Sequence, residues 1–235
     1  MESTCAHDQY WPAGGRSDGV VGMNGLILRG LKDLVVDQVG DESWTAIHER
    51  ADLDRRLYMP ASDYADERVL ALVEATLAEL PQSRETLLMT LGRSLVPDLM
   101  TIYGVHIREE WTALELLGNV DCVLRGAFTE NRFSTYEPPR VTVDDRSDRR
   151  VDLSYADDGR ELCALFAGIL DGIGDQYDVR LVVEHRRCHR RGGEECRFRI
   201  SRLGQESAPQ REPAEVGQRR TQPAPRQRPQ PALER

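Results

Sequence analysis

The sequence has 235 residues, of which 40% are hydrophobic and 30% are charged, and its formal net charge is −9. A chain of this size can bury a core without disulfides, and its acidic balance argues against nonspecific nucleic-acid binding, which depends on neutralising phosphates. No apolar run approaches the roughly 18 residues of a membrane-spanning helix, and the odd number of cysteines does not suit a disulfide framework. We therefore expect a cytoplasmic protein with one domain of ordinary size.

The two ends of the chain differ from its middle in composition. Residues 1–22 are polar and rich in glycine, and residues 204–235 are rich in Pro, Gln and Arg. Neither segment has an apolar period, so we predict a disordered leader and a disordered tail. Residues 23–203 are predicted to form the folded domain, mainly helical over 23–139 and built as hairpin, helix and hairpin over 140–203.

Apolar residues recur at helical spacing from the start of the predicted domain. The run from Leu28 to Val39 predicts an amphipathic helix that ends at Gly40. Asp41 is predicted to cap the next helix, and Ser62 or Asp63 to cap the one after it.

The pattern then continues through the rest of the helical half. A helix is predicted to begin at Ser83 and to break near Pro97, because proline removes a backbone donor. The apolar stripe of residues 111–128 predicts one further helix.

After two prolines the apolar period changes from helical to alternating. Residues 140–143 and 151–155 alternate apolar and polar side chains around a polar turn, which predicts a β-hairpin. A helix over 160–177 and a second hairpin over 179–200 follow. The fold class predicted from this order is α+β, with a helix packed on a small antiparallel sheet.

Three of the five cysteines lie in the last helix and hairpin, at a spacing typical of metal ligands. Cys163, His185, Cys188 and Cys196 form the pattern Cys-x21-His-x2-Cys-x7-Cys. About 20 Å of helix after Cys163 and about 23 Å of returning strand bring His185 back level with that cysteine. Four sulfur and nitrogen donors are the number that a closed tetrahedral zinc site needs.

A second interpretation of the same residues stays open. The cysteines could be buried structural thiols, with His185 and His189 on a solvated basic hairpin. In either case we do not predict an enzyme, since a zinc ion with four protein ligands keeps no position for water. The sequence also has no nucleophile motif and no phosphate-binding glycine loop.

Several stretches resemble one family, the heme–nitric oxide/oxygen binding (H-NOX) domains. They are MNGLILRGLKDLVVDQVGDESW from Met23, LLGNVDCVLRGAF followed by YEPPR, and LSYADDGRELCALFAGILDGIGDQYD. The resemblance implies about seven helices, a four-stranded antiparallel sheet and a heme held between the two parts that senses NO or O2. Stand-alone bacterial members usually report to a histidine kinase, a diguanylate cyclase or a chemotaxis protein, and the resemblance implies such a partner here.

The family's heme-pocket positions are altered in this sequence. The resemblance places Leu124 where the family has its proximal histidine, and leucine has no lone pair for iron. Pro139 lies in the proline-bearing loop, and Tyr155 and Arg160 lie in the propionate-binding run. In that run Asp157 replaces serine, and the arginine comes one position late.

The resemblance therefore leaves three functional hypotheses. Some H-NOX proteins carry a Cys-x21-Cys-x2-Cys-x7-Cys zinc site, and this chain has the same spacings with His185 as the second ligand. The first hypothesis is a heme-independent sensory protein with a structural or redox-responsive zinc site. The second is a heme-based gas sensor with an atypical ligand, for which Cys122 and His106 are candidates. The third is an effector-binding domain that uses the vacated heme pocket.

Overall fold

The domain consists of a helical part and a sheet part that share one central helix. A computed structural model describes the chain over residues 22–54, 57–60, 62–130, 139–156 and 159–203. The predicted tail, residues 204–235, lies outside these ranges, and so does the predicted leader, residues 1–22, except for Gly22, which is the first residue of a strand.

The described residues form seven α-helices and six β-strands. The helices are α1 (Gly25–Val39), α2 (Asp41–Arg50), α3 (Asp66–Glu79), α4 (Arg84–Tyr103), α5 (Ala113–Leu117), α6 (Val120–Glu130) and α7 (Cys163–Gln176). The strands are β1 (Gly22–Asn24), β2 (Asp63–Ala65), β3 (Arg140–Arg146), β4 (Arg150–Ala156), β5 (Leu181–Arg187) and β6 (Cys196–Arg202). The predicted α+β class is confirmed. Within these ranges, no helix has both the length and the apolar character needed to cross a bilayer.

The predicted ends of the first helices are partly correct. Gly40 ends α1 as expected, and its φ of +88° suits a residue without a Cβ. The prediction that Asp41 caps α2 is wrong, because Asp41 is the first helical residue and no side chain caps that helix. The prediction of a cap at Ser62 or Asp63 is also wrong. Asp63 pairs with β1 in a two-stranded sheet, and α3 begins at Asp66.

Two helix boundaries in the middle of the chain also differ from the predictions. The helix predicted to break near Pro97 runs through it as α4. The predicted helix over 111–128 is two helices, because Thr112 and Glu115 form a capping box that starts α5, which ends before Gly118. Pro97 and Gly118 both favour the end of a helix, but tertiary packing carries α4 through Pro97, whereas α5 does end before Gly118.

Close packing of α4 on α7 explains why α4 tolerates its proline. A Cβ on Gly92 would overlap the backbone carbonyl of Leu165, and one on Gly168 would overlap that of Met89. The two helices therefore touch backbone to backbone, and their burial outweighs the roughly 3 kcal/mol that Pro97 costs a helix. This contact fixes α7 and, with it, the cysteine at its first position.

The four-stranded sheet presents one apolar face to α7. Its strand order is β3-β4-β6-β5, all antiparallel. Since side chains alternate along a strand, the buried face carries the apolar residues of each central strand: Val151, Leu153 and Tyr155 on β4, and Cys196, Phe198 and Ile200 on β6. The sheet and α7 thus place Cys196 in the core beneath the helix.

Candidate metal centre

The four sequence-predicted ligands meet at one point. Donor atoms of Cys163, His185, Cys188 and Cys196 all lie within 4.8 Å of one another. The three cysteines are free thiols, and those at 163 and 196 are buried. The cluster joins the start of α7 to both strands of the second hairpin, so the predicted convergence of helix and strand is present.

A β-bulge brings His185 and Cys188 to the same side of the hairpin. Residues three apart on a regular strand face opposite sides of the sheet. Here the pairing with β6 shifts between His185 and Arg187, so one extra residue lies in β5. The His-x2-Cys spacing can therefore supply two ligands from one edge, which the sequence alone does not indicate.

One sulfur–sulfur distance in the cluster matches that of a tetrahedral zinc site. The sulfurs of Cys163 and Cys188 are 3.9 Å apart. Two sulfurs that each lie about 2.3 Å from a tetrahedral zinc ion are about 3.8 Å apart. The ring of His185 is held by stacking on Phe198, with ring centroids 4.3 Å apart and an interplanar angle of 15°. The geometry therefore fits a metal with three thiolate ligands and one imidazole ligand.

The protein environment sets the protonation states of the four donors when no cation is bound. Burial, together with the neighbouring thiols, raises the pKa of Cys163 to about 12, and burial raises the pKa of Cys196 as well. Burial and Arg191 lower the pKa of His185, which keeps the imidazole neutral, as a metal ligand must be. Without a cation the buried cysteines stay protonated, whereas a divalent ion stabilises their thiolates.

His189 is a residue of this site that the sequence analysis placed only on the solvated hairpin. Its Nδ1 lies 3.1 Å from the Sγ of Cys196, closer than the roughly 3.5 Å expected between two ligands of one zinc ion. We therefore interpret it as a hydrogen-bond donor to the sulfur of a ligand. Its Nε2 is buried and has no partner among the described residues.

The described side chains at the heme-pocket positions that the resemblance gives pack against other residues of the protein. Leu124 is partly buried on α6 and packs into the apolar core of the sheet part. His106 does touch α6, because a Cβ on Gly126 would lie 2.9 Å from its Nδ1. However, Gly126 is about 200° around the helix from Leu124. His106 therefore does not replace the missing ligand on the Leu124 face.

Arg160 and Tyr155 have partners within the protein. Arg160 is 7% exposed, and its Nε donates to the Oδ2 of Asp66 at 2.7 Å. Tyr155 stacks on Phe166, with ring centroids 4.4 Å apart. Asp66 thus already gives the guanidinium of Arg160 the kind of partner that a propionate would provide, and it is a second residue that the sequence analysis missed.

Of the remaining candidate positions within the described ranges, neither Pro139 nor Cys122 offers an iron ligand on the Leu124 face of α6. Pro139 is partly buried just before β3. Cys122 lies two positions before Leu124, and its sulfur is 3.7 Å from an Arg125 nitrogen. Asp157 lies outside the described residues.

Comparison with known proteins identifies the family. The family model described as haem-NO-binding matches residues 24–185, which is more than half of the chain. The protein belongs to the H-NOX family. No curated protein is significantly similar to its sequence.

Solved H-NOX structures share the fold at low sequence identity. The Shewanella oneidensis H-NOX protein in its Fe(II)NO state is 20% identical, with a TM-score of 0.70 over 77% of this chain and 100% of that chain. An H-NOX mutant from K. algicida is 19% identical, with a TM-score of 0.64 over 78% of this chain and 98% of that chain. At these identities the likeness establishes the H-NOX fold, and the chemistry must be argued from the residues of this chain.

Proposed function

We propose that this H-NOX domain is a sensory module that holds zinc and works without heme. The observation that carries the proposal is the convergence of Cys163, His185, Cys188 and Cys196, whose donor atoms lie within 4.8 Å. Three thiolates and a neutral imidazole are a donor set that zinc prefers. The ion would fasten α7 to the second hairpin.

The proposal that heme is absent rests on three side chains. Leu124 offers iron no lone pair, Arg160 is engaged by Asp66, and Tyr155 packs against an aromatic ring. An axial ligand and a cation for the propionates are the protein's main contributions to holding heme. In this chain those positions contribute to the core and to an internal ion pair.

The proposed signal is oxidation of the zinc-bound thiolates. Cys163 and Cys188, with sulfurs 3.9 Å apart, are close enough to form a disulfide after a small movement. With hydrogen peroxide as oxidant, each thiolate gives up one electron and an S–S bond forms. The peroxide O–O bond breaks, and two protons complete two water molecules. A zinc ion held by these residues would lose two of its four ligands, and the hairpin would no longer be fastened to α7.

The released hairpin would change how a partner docks. H-NOX proteins commonly act with signalling proteins, and we propose a histidine kinase, a diguanylate cyclase or a chemotaxis protein as the partner class. The heme-based sensor with an atypical ligand is the alternative that the family favours. Use of a vacated heme pocket by a small effector stays a prediction.

One sample can separate the zinc proposal from the heme alternative. Metal analysis of the purified full chain should give about one zinc per protein, and a visible spectrum after incubation with hemin should show no Soret band beyond that of free hemin. The Cys188→Ser variant should lose the zinc. A strong, protein-dependent Soret band would support the heme sensor, and zinc-free protein with four reduced ligands would overturn the proposed metal site.

A further inference from the structure

A basic cleft lies beside the metal cluster, at the tip of the second hairpin. Its volume is about 530 Å³, and residues 185–188 and 191–194 line it. Three of these residues are arginines and one is Glu194, within a chain whose net charge is −9. The cleft is therefore locally positive on an acidic protein.

Two of the arginines at this tip have ion-pair partners. Arg186 lies 3.5 Å from the carboxylate of Glu184, and Arg190 lies 3.2 Å from that of Glu161. These contacts direct the two guanidinium groups to carboxylates of the chain itself. The positive charge of the cleft therefore comes mainly from two other arginines, Arg187 and Arg191.

Arg187 and Arg191 are exposed and have no carboxylate partner among the described residues. The stem of Arg187 lies over Gly193, where a Cβ would come within 2.8 Å of its Cγ. Gly192 adopts a φ of +88° with open space around it. The glycine turn thus leaves open space at Gly192, the residue that follows Arg191.

We propose that this cleft binds an oxyanion group, a phosphate or a carboxylate, through Arg187 and Arg191. A guanidinium matches the paired oxygens of these groups with two parallel hydrogen bonds. The volume lies in the range of about 300–1,000 Å³ that is typical of ligand sites, so the cleft has room for a ligand larger than one phosphate group. A phosphorylated small molecule and an acidic segment of a partner protein both carry this chemistry.

The inference goes beyond the zinc proposal, and its test does not need a bound metal. His185 and Cys188 line both the cleft and the metal cluster, so an oxyanion would bind directly beside the site proposed to respond to oxidation. Occupancy of the cleft depends on Arg187 and Arg191 and is measurable at any zinc content.

The test is calorimetric titration of the full chain at low salt with pyrophosphate and, separately, with an octaglutamate peptide. The Arg187→Gln/Arg191→Gln variant should bind at least about ten-fold more weakly, since a charge-assisted hydrogen bond carries about that factor. A matched control, Arg180→Gln/Arg202→Gln, makes the same charge change at the opposite end of the same hairpin. It should bind like the wild-type protein.

The outcomes separate the two ligand sources and the two proposals. Binding of pyrophosphate alone assigns a phosphorylated ligand, and binding of the peptide alone assigns an acidic protein segment. No binding of either probe, or equal weakening by both double variants, overturns the inference. Zinc is measured in the same samples, so zinc-loaded protein that binds neither probe refutes the cleft and leaves the metal site intact. Zinc-free protein that still binds a probe refutes the metal site alone.

Discussion

Removing zinc should lower the unfolding temperature of the domain by about 5–11 °C. The cluster links α7 with both strands of the second hairpin, and that linkage exists only in the folded state. At a free zinc concentration 100 times the Kd, binding to the folded state alone adds about 2.7 kcal/mol. For a domain of about 150–250 residues, each kcal/mol shifts Tm by about 2–4 °C.

The assay is thermal unfolding followed by circular dichroism, with and without a chelator. His185→Ala should nearly abolish the chelator effect, because losing one of four ligands weakens binding by at least about 100-fold and leaves at most about 0.4 of the 2.7 kcal/mol at the same free zinc. His185→Cys, which restores four ligands, should keep it. Equal unfolding temperatures with and without chelator would refute the reasoning, as would a chelator effect that survives in His185→Ala.

Three further predictions test the packing, the charges and the sulfur chemistry around the site. Gly168→Ala should destabilise the fold by about 1–3 kcal/mol in a denaturant titration, because its Cβ meets the Met89 backbone; unchanged stability would contradict the close helix contact. The bond from Arg199 lowers the pKa of Asp152 below its usual 3.8, so the stability that this carboxylate adds is present above about pH 4 and is lost below it. Asp152→Asn should therefore flatten the fall in Tm between about pH 5 and pH 2, and an unchanged slope would contradict the ion pair. His189→Leu should speed peroxide-driven zinc release about five-fold, since a hydrogen bond contributes about 1 kcal/mol; His189→Asn retains a donor and should not, and equal rates in both variants would argue against the donor role.

The fold followed from periodicity and local chemistry. The helical spacing, the change to alternation after residue 139 and the turn residues predicted the α+β class, both hairpins and a helix over 160–177, and the structure contains all of them, with the helix running from Cys163 to Gln176. The predicted helix boundaries were wrong where tertiary packing outweighs the conformational preference of the local sequence. Pro97 stays within α4 because the helix packs closely on α7. Asp63 lies in a strand because it pairs with Asn24, and no local sequence pattern indicates a partner so distant in the chain.

The candidate site likewise has features that the sequence predicted and features that only the tertiary structure shows. Residue type and spacing can be read from the sequence, so the sequence by itself predicted Cys163, His185, Cys188 and Cys196 as a set of candidate ligands. The bulge that turns His185 and Cys188 to one side, the position of His189 against a sulfur, and the pairing of Arg160 with Asp66 were decided only by tertiary structure. The reason is physical: a residue's type fixes which contacts it can make, but strand register and helix packing fix which groups it meets.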